Sequence, residues 1–168
     1  IVFISKKMRR AKDGSGYSET NDARYYGPKI VAQKGGIGLL IRSVGTDSNR
    51  DPHTGTMKFR EEDKATGVVT YLNEDQLVPA AALSNPDADL LVQMLKREKP
   101  VVIKFTLGSQ WKGTYTSHNV IGEITGSEKP DELILIGGHL DSWDLGTGAI
   151  DDASGCAITM ATAKLIKD

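Results

Sequence analysis

The stretch GGHLDSWDLGTGAIDD, residues 137–152, decides how the chain is read. It gathers His139 with the carboxylates of Asp141, Asp144, Asp151 and Asp152, and glycines separate them. The apolar run LILI precedes it and DASGCAITMATAKLIKD overlaps its end. A continuous apolar run predicts a strand buried on both faces, as in a parallel sheet. Ala157, Ile158, Ala161, Leu165 and Ile166 recur with a helical period, so a helix should follow the glycines. Strand, glycine loop and helix together predict an α/β fold. His139 then falls at the carboxyl end of strand 133–138, where open α/β sheets bind ligands.

The spacing inside the stretch suggests metal chemistry. On an extended chain, residues two apart lie on one side. Asp141 can therefore accept the N–H of His139 and fix the tautomer of a metal-binding imidazole. Asp151 comes 151 − 139 = 12 residues later, beyond a loop that can fold back. It stands before a helix, whose N-terminus favours anions. A carboxylate so placed can bridge two metals about 3.5–4 Å apart, as two-metal hydrolases require. A lone HxD is common, and an Asp pair before a helix is ordinarily just a cap. The combination is what carries weight.

Working upstream, IVFIS (residues 1–5), IGLLIRS (37–43) and PAAAL (79–83) read as strands, VVTYL (68–72) as a short one, and VVIKFTL (101–107) as an alternating one. Pro28 begins a helix centred on residues 30–34, closed by a Gly pair. SNPDADLLVQMLKR carries the best helix start: Asn85 as N-cap, Pro86 in the first turn, and Asp87 and Asp89 at the positive end of the dipole. Leu90, Leu91, Met94 and Leu95 are its expected buried stripe. Residues 6–22 read as polar loop with a solvated basic cluster, and 46–67 as a long polar segment in which His53 is a surface histidine. HNVIGEIT (118–125) is a further expected strand. A boundary falls near residue 110. Residues 1–110 form an α/β module. Residues 111–168 offer two strands and one helix, too little to bury a core, so they should belong to a larger sheet. The chain opens on a strand already under way and closes on a helix cut near its end, so we read it as a piece of a longer protein.

Composition narrows the classes. The 168 residues are 39% hydrophobic and 26% charged with a formal net charge of −1, so nothing electrostatic advertises nucleic acid or an anionic membrane. No apolar run approaches the ~18 residues of a membrane span, and no signal peptide is recognisable. Cys156 is the single cysteine, which excludes an internal disulfide and a cysteine-based zinc site. In an Ala-rich helix it reads as a small buried hydrophobe.

GGHLDSWDLGTGAIDDASG resembles the metal-binding segment of the co-catalytic di-zinc exopeptidases, metallopeptidase family twenty-eight, in the form found in their plasma glutamate carboxypeptidase branch. SHNVIGEITGSEKPDELILIGG matches that branch in layout. The upstream module, with LLIRSVGT and PHTG, resembles the protease-associated (PA) domain inserted in those enzymes. The resemblance covers essentially the whole chain. It implies a truncated PA domain over 1–110 and an incomplete zinc-peptidase catalytic domain over 111–168. It implies two zinc ions, with His139 a ligand of one, Asp151 the bridge between both and Asp141 the catalytic residue that orients His139. Trp143 and Asp144 belong to the signature without an assigned role, and Asp152 is not a ligand. The family's general base and remaining ligands lie downstream of these residues. The 168 residues alone should therefore be inactive and hold no zinc tightly. The substrate class implied is dipeptides or short peptides, and the compartment secreted or periplasmic. An unpaired LILI edge would favour a homodimer.

Two other readings compete. In one, the piece acts through the PA fold alone, as a binding module without catalysis. In the other, Gly146, Thr147 and Gly148 cradle a nucleotide phosphate, but the remaining glycine spacing and a following Lys are missing.

Overall fold

The computed structural model describes every residue except Thr54, Phe59, Trp111, Asp144, Leu145 and Asp168, together with the side chain of Glu74. The signature residue Asp144 thus lies outside the described residues. The chain divides into two compact units, Ile1–Gln110 and Trp111–Asp168.

The first unit is built on three parallel strands in the order β1 (Val2–Ile4), β2 (Leu39–Arg42), β5 (Ala80–Leu83). Phe3 stands opposite Leu40 and Leu40 opposite Ala81. All four residues of the central strand are buried, the apolar Leu39–Ile41 as a strand covered on both faces requires and Arg42 as a buried charge at its end. Alternation sends Leu39 and Ile41 to one face, where they meet Val31, Ala23, Ile4, Val78, Ala80 and Ala82. Two helices pack on β2: α3 (Gly27–Gln33) and α4 (Asn85–Leu95). Pro28 occupies the first turn of α3, where its missing N–H costs nothing.

The segment read as polar loop contains a single helical turn, α1 (Ser15–Ser18), and a second, α2 (Asp22–Tyr25), starts at its end. The long polar stretch contains β3 (Arg60–Glu62), which pairs antiparallel with β4 (Val69–Tyr71) in the segment 68–72 expected as a short strand. β3 is Arg-Glu-Glu, so hydrophobic patterning could not reveal it.

Helix α4 corrects two expectations. Its cap is Ser84, not Asn85: the Ser84 hydroxyl accepts from Asp87 N–H at 3.2 Å and donates to Asp87 Oδ2 at 2.6 Å. Asn85 is occupied elsewhere, donating to the carbonyls of Gly45 and Asp47. The buried face is Asn85, Ala88 and Leu91, whereas Leu90 and Leu95 are exposed. The reason is Arg42, which lies buried at the end of β2 and donates to Asn85 O, Ser5 Oγ and Asp89 Oδ1. Those bonds rotate the polar start of α4 toward the sheet. His53 is also not a plain surface histidine. It is half-buried, its N–H donates to Ser43 Oγ at 2.8 Å, and its ring lies edge-on to Tyr17.

In the second unit the only regular element among the described residues is helix α5 (Ser154–Lys167), preceded by a turn over Ala149–Ala153 in which Asp151 and Asp152 have non-helical backbone angles. Segments 118–125 and 133–138 there, and 101–107 in the first unit, all expected as strands, make no β-ladder among the described residues. Strand character is a property of a pair, and an apolar run needs a neighbour before it becomes one. Leu133, Ile134 and Leu135 are accordingly exposed, as are Ile158, Leu165 and Ile166 on α5. Cys156 is half-buried rather than buried.

Candidate metal and catalytic site

Helix α5 begins where the chain returns to the glycines that precede His139. A Cβ at Gly138 would sit 2.7 Å from Cys156 N and 2.9 Å from Gly155 C, so only glycine lets the two backbones come this close. Gly148, at φ 65°, takes the left-handed conformation that starts the turn over residues 149–153, and Ala153 N–H closes it on Gly148 O at 2.9 Å. The Asp151–Asp152 peptide bond is cis.

The result places two carboxylates and one main-chain carbonyl around one imidazole. His139 Nε2 is 2.7 Å from Asp151 Oδ1. His139 Nδ1–H donates to the Asp141 carbonyl at 2.9 Å, with Asp141 Oδ1 at 3.2 Å. Both ring nitrogens thus face oxygen acceptors. An acceptor on each side favours the doubly protonated ring, so the His139 pKa is raised, first by the bond to Asp151 and then by that to Asp141. The main-chain carbonyl of Asp141 can only accept, so it holds the proton on Nδ1. In the neutral ring Nε2 is then a lone pair aimed at a carboxylate. Such a pair calls for a cation between its members, either a proton or a metal ion.

Asp152 performs a task the sequence reading does not assign to it. Its Oδ2 accepts from His139 N–H at 3.1 Å and its Oδ1 from Gly155 N–H at 3.1 Å. One carboxylate therefore caps the start of α5 and ties it to the backbone of His139. Cys156 Sγ adds a weak bond to His139 O at 3.3 Å. The only available signal was the Asp pair before a helix, which predicts the cap but not the reach back to His139. Trp143 is exposed, and its main-chain carbonyl accepts from Gly146 N–H.

His139 and Asp151 are both well exposed, at 50% and 80% for their side chains. Among the described residues no group of three His, Cys, Asp or Glu side chains could enclose a metal. The donor types still fit zinc, which takes imidazole nitrogen and carboxylate oxygen.

Residues 119–168 match the family described as Peptidase family M28. Human carboxypeptidase Q is 36% identical over 179 residues, covering 100% of this chain and 35% of that protein. Carboxypeptidase Q of Mus musculus is 36% identical over 154 residues, covering 92% of this chain and 30% of the relative. The crystal structure of a peptidase M28 precursor from Shewanella amazonensis SB2B superposes with a TM-score of 0.83 at 51% identity, covering 96% of this chain and 34% of that one. The chain thus spans about a third of the length of the relatives it matches. The segment that holds His139, Asp141 and Asp151 is the part matched to peptidase family M28, and the chain is similar to these peptidases over its length.

Proposed function

We propose that the full-length protein is a zinc-dependent exopeptidase acting on dipeptides or short peptides. In this reading residues 111–168 begin its catalytic domain and residues 1–110 form a PA domain. The observation that carries it is the 2.7 Å approach of His139 Nε2 to Asp151 Oδ1 within a segment matched to a peptidase family. His139 would hold one zinc through Nε2, and Asp151 would bridge that zinc to a second. When bound, the zinc pair would supply a Lewis acid for the peptide carbonyl and lower the pKa of a water.

The chain's own residues prepare the site. Asp141 keeps the Nδ1 proton in place, which leaves Nε2 free to ligate and makes it more basic. Asp152 ties His139 to the first turn of α5, so the imidazole and Asp151 are carried by joined elements. Gly138 and Gly155 supply the space for that joint. These residues offer fewer than the three protein ligands that a catalytic zinc takes, so the 168 residues by themselves should not hydrolyse peptides. The similarity of human carboxypeptidase Q across residues 1–110 as well supports a shared architecture there. The exposed apolar side chains of residues 133–135 support pairing of that segment with a further strand, from the remaining chain or a second copy. Secretion or export to a periplasm accompanies this reading.

The test is peptide hydrolysis by the full-length protein with and without zinc. His139→Ala should abolish the zinc-dependent activity, and Asp141→Asn, which keeps the carbonyl on Nδ1 and removes only the carboxylate charge 3.2 Å away, should lower it by no more than the ~10–100-fold usual for a partner that orients a ligand. Hydrolysis that survives exhaustive chelation would contradict the assignment.

A further inference from the structure

The hairpin of the first unit ends in an unguarded strand. Among the described residues β3 and β4 pair only with each other, so no strand lies on the outer side of β4. Two strands alone are marginal in water, and a sheet needs a third strand or a covering helix to stand by itself. β3 is tied to the body of the unit: Lys29 Nζ donates to Glu61, and Lys58 N–H donates to Tyr25 O at 2.8 Å. Its residues Arg60, Glu61 and Glu62 also carry the charges that discourage edge pairing. β4 has no such guard. Residues 68–72 read Val-Val-Thr-Tyr-Leu, with no charge and no proline. Val68, Val69 and Tyr71 are 58%, 42% and 60% exposed, although successive side chains point to opposite faces. Both faces of β4 are thus exposed.

The ladder fixes which groups would meet another strand. Asp63 N–H donates to Val68 O and Gly67 N–H to Asp63 O, so residues 63 and 68 form a hydrogen-bonded pair. Such pairs alternate along an antiparallel ladder, so Thr70, opposite Glu61, also turns its N–H and C=O toward β3. Val69 and Tyr71 then turn theirs outward. An antiparallel copy of β4 centred on Thr70 matches this edge residue for residue. Val69 meets the partner's Tyr71, Tyr71 meets the partner's Val69, and the two threonines meet on the axis. Val68 meets the partner's Leu72 beside them. Aromatic–β-branched and Thr–Thr pairs are favourable cross-strand contacts, and no like charges oppose one another here. A strand that complements its own reverse suits a two-fold axis, where one patch faces itself.

We infer that β4 is a dimerisation edge: it pairs antiparallel with β4 of a second copy about a two-fold axis at Thr70, giving a four-stranded sheet in the order β3-β4-β4-β3. This surface lies within the first unit and depends neither on the metal chemistry of residues 137–152 nor on the apolar side chains of residues 133–135. A contact made by residues 68–72 alone should bury less than the ~1,200 Å² at which stable interfaces begin, so the dimer should form reversibly.

The test is sedimentation of the full-length protein over roughly 1 µM to 1 mM, where a monomer–dimer equilibrium should appear. Thr70→Lys sets two ammonium groups against each other on the axis and should weaken dimerisation at least ~10-fold. Ala65→Lys adds the same charge in the turn of the hairpin, away from the axis, and should leave the dimer unchanged. Thr70→Cys should give a disulfide between copies under mild oxidation. A non-hydrogen-bonded antiparallel pair brings its Cα atoms to about 4.5 Å, within the span of a disulfide. Mass spectrometry should find residue 70 joined to residue 70, which separates this product from any that uses Cys156. Glu62→Cys, on the inner strand, should give no such product. The sedimentation series needs no variant, so it decides the matter even where a variant fails to fold. A full-length protein that stays monomeric throughout, a dimer that Thr70→Lys leaves intact, or a Thr70→Cys cross-link no stronger than that of Glu62→Cys would each overturn the proposal.

Discussion

Asp152 joins two backbone segments through one carboxylate, so its replacement should be felt at a distance. Asp152→Ala removes the acceptor of both His139 N–H and Gly155 N–H. Loss of a helix cap typically costs about 1 kcal/mol. Here α5 should fray, and the amide signals of His139 and Gly155 should move together in the ¹H–¹⁵N spectrum. If only Gly155 moves, the link to His139 does not exist in solution. Gly138→Ala probes the same joint sterically. Its new Cβ meets main-chain atoms rather than a flexible side chain, so the backbone itself must shift. A displacement of ~1 Å in a catalytic group can cost on the order of 100-fold in rate, which is the loss the proposed function predicts for peptide hydrolysis by the full-length protein. The approach of His139 to Asp151 was legible in the sequence, because a glycine loop between them can fold back before a helix start. The grip of Asp152 on His139 was not. It depends on which of two adjacent carboxylates turns toward the strand, and a DD pair reads the same either way.

Helix α4 shows how an element can be predicted correctly while its face is not. The Pro and the acidic first turn marked its start to within a residue. The hydrophobic stripe misled because Arg42 recruits Asn85 and Asp89 and turns the helix about its axis. The consequence can be measured by urea denaturation. Leu91→Ala should cost ~2–5 kcal/mol, the usual range for emptying a buried leucine site. Leu90→Ala, at an exposed position, should cost no more than ~0.5 kcal/mol. The reverse order would restore the stripe read from the sequence. The Arg42–Asp89 pair adds a pH dependence. The carboxyl of Asp89 is held below its ordinary value, first by the bond from Arg42 and then by that from Lys7. A depressed folded-state pKa contributes stability above the unfolded value, near pH 3.9, and loses it as the pH falls through the folded value. The urea midpoint of Asp89→Asn should therefore lie below that of the unaltered chain at pH 5, and the gap should close as the pH drops below about 4. A gap independent of pH would remove the ion pair from the account.

At the scale of the whole molecule, the parallel strands of the first unit were legible because each run is apolar and finds its neighbours within the chain. The strands expected over 101–107, 118–125 and 133–138 were not realised, for want of ladder partners among the described residues. Their patterns are those of a sheet, with Leu133, Ile134 and Leu135 exposed where a sheet would cover them. The β3–β4 hairpin carries the opposite lesson, since β3 has a partner but no pattern. The same incompleteness governs metal binding. Calorimetric titration of the 168 residues with zinc should reveal no site tighter than roughly 1 µM, because metal binding draws on ligands already held in place. A tight stoichiometric site would mean that other residues of this chain complete the ligand set. The central claim, that Asp151 is the carboxylate shared by two metals, is tested most directly by the turnover of the full-length Asp151→Ala protein at saturating zinc. Loss of essentially all zinc-dependent peptide hydrolysis, with the fold intact by circular dichroism, is the predicted result. Turnover equal to that of the unaltered protein would contradict it.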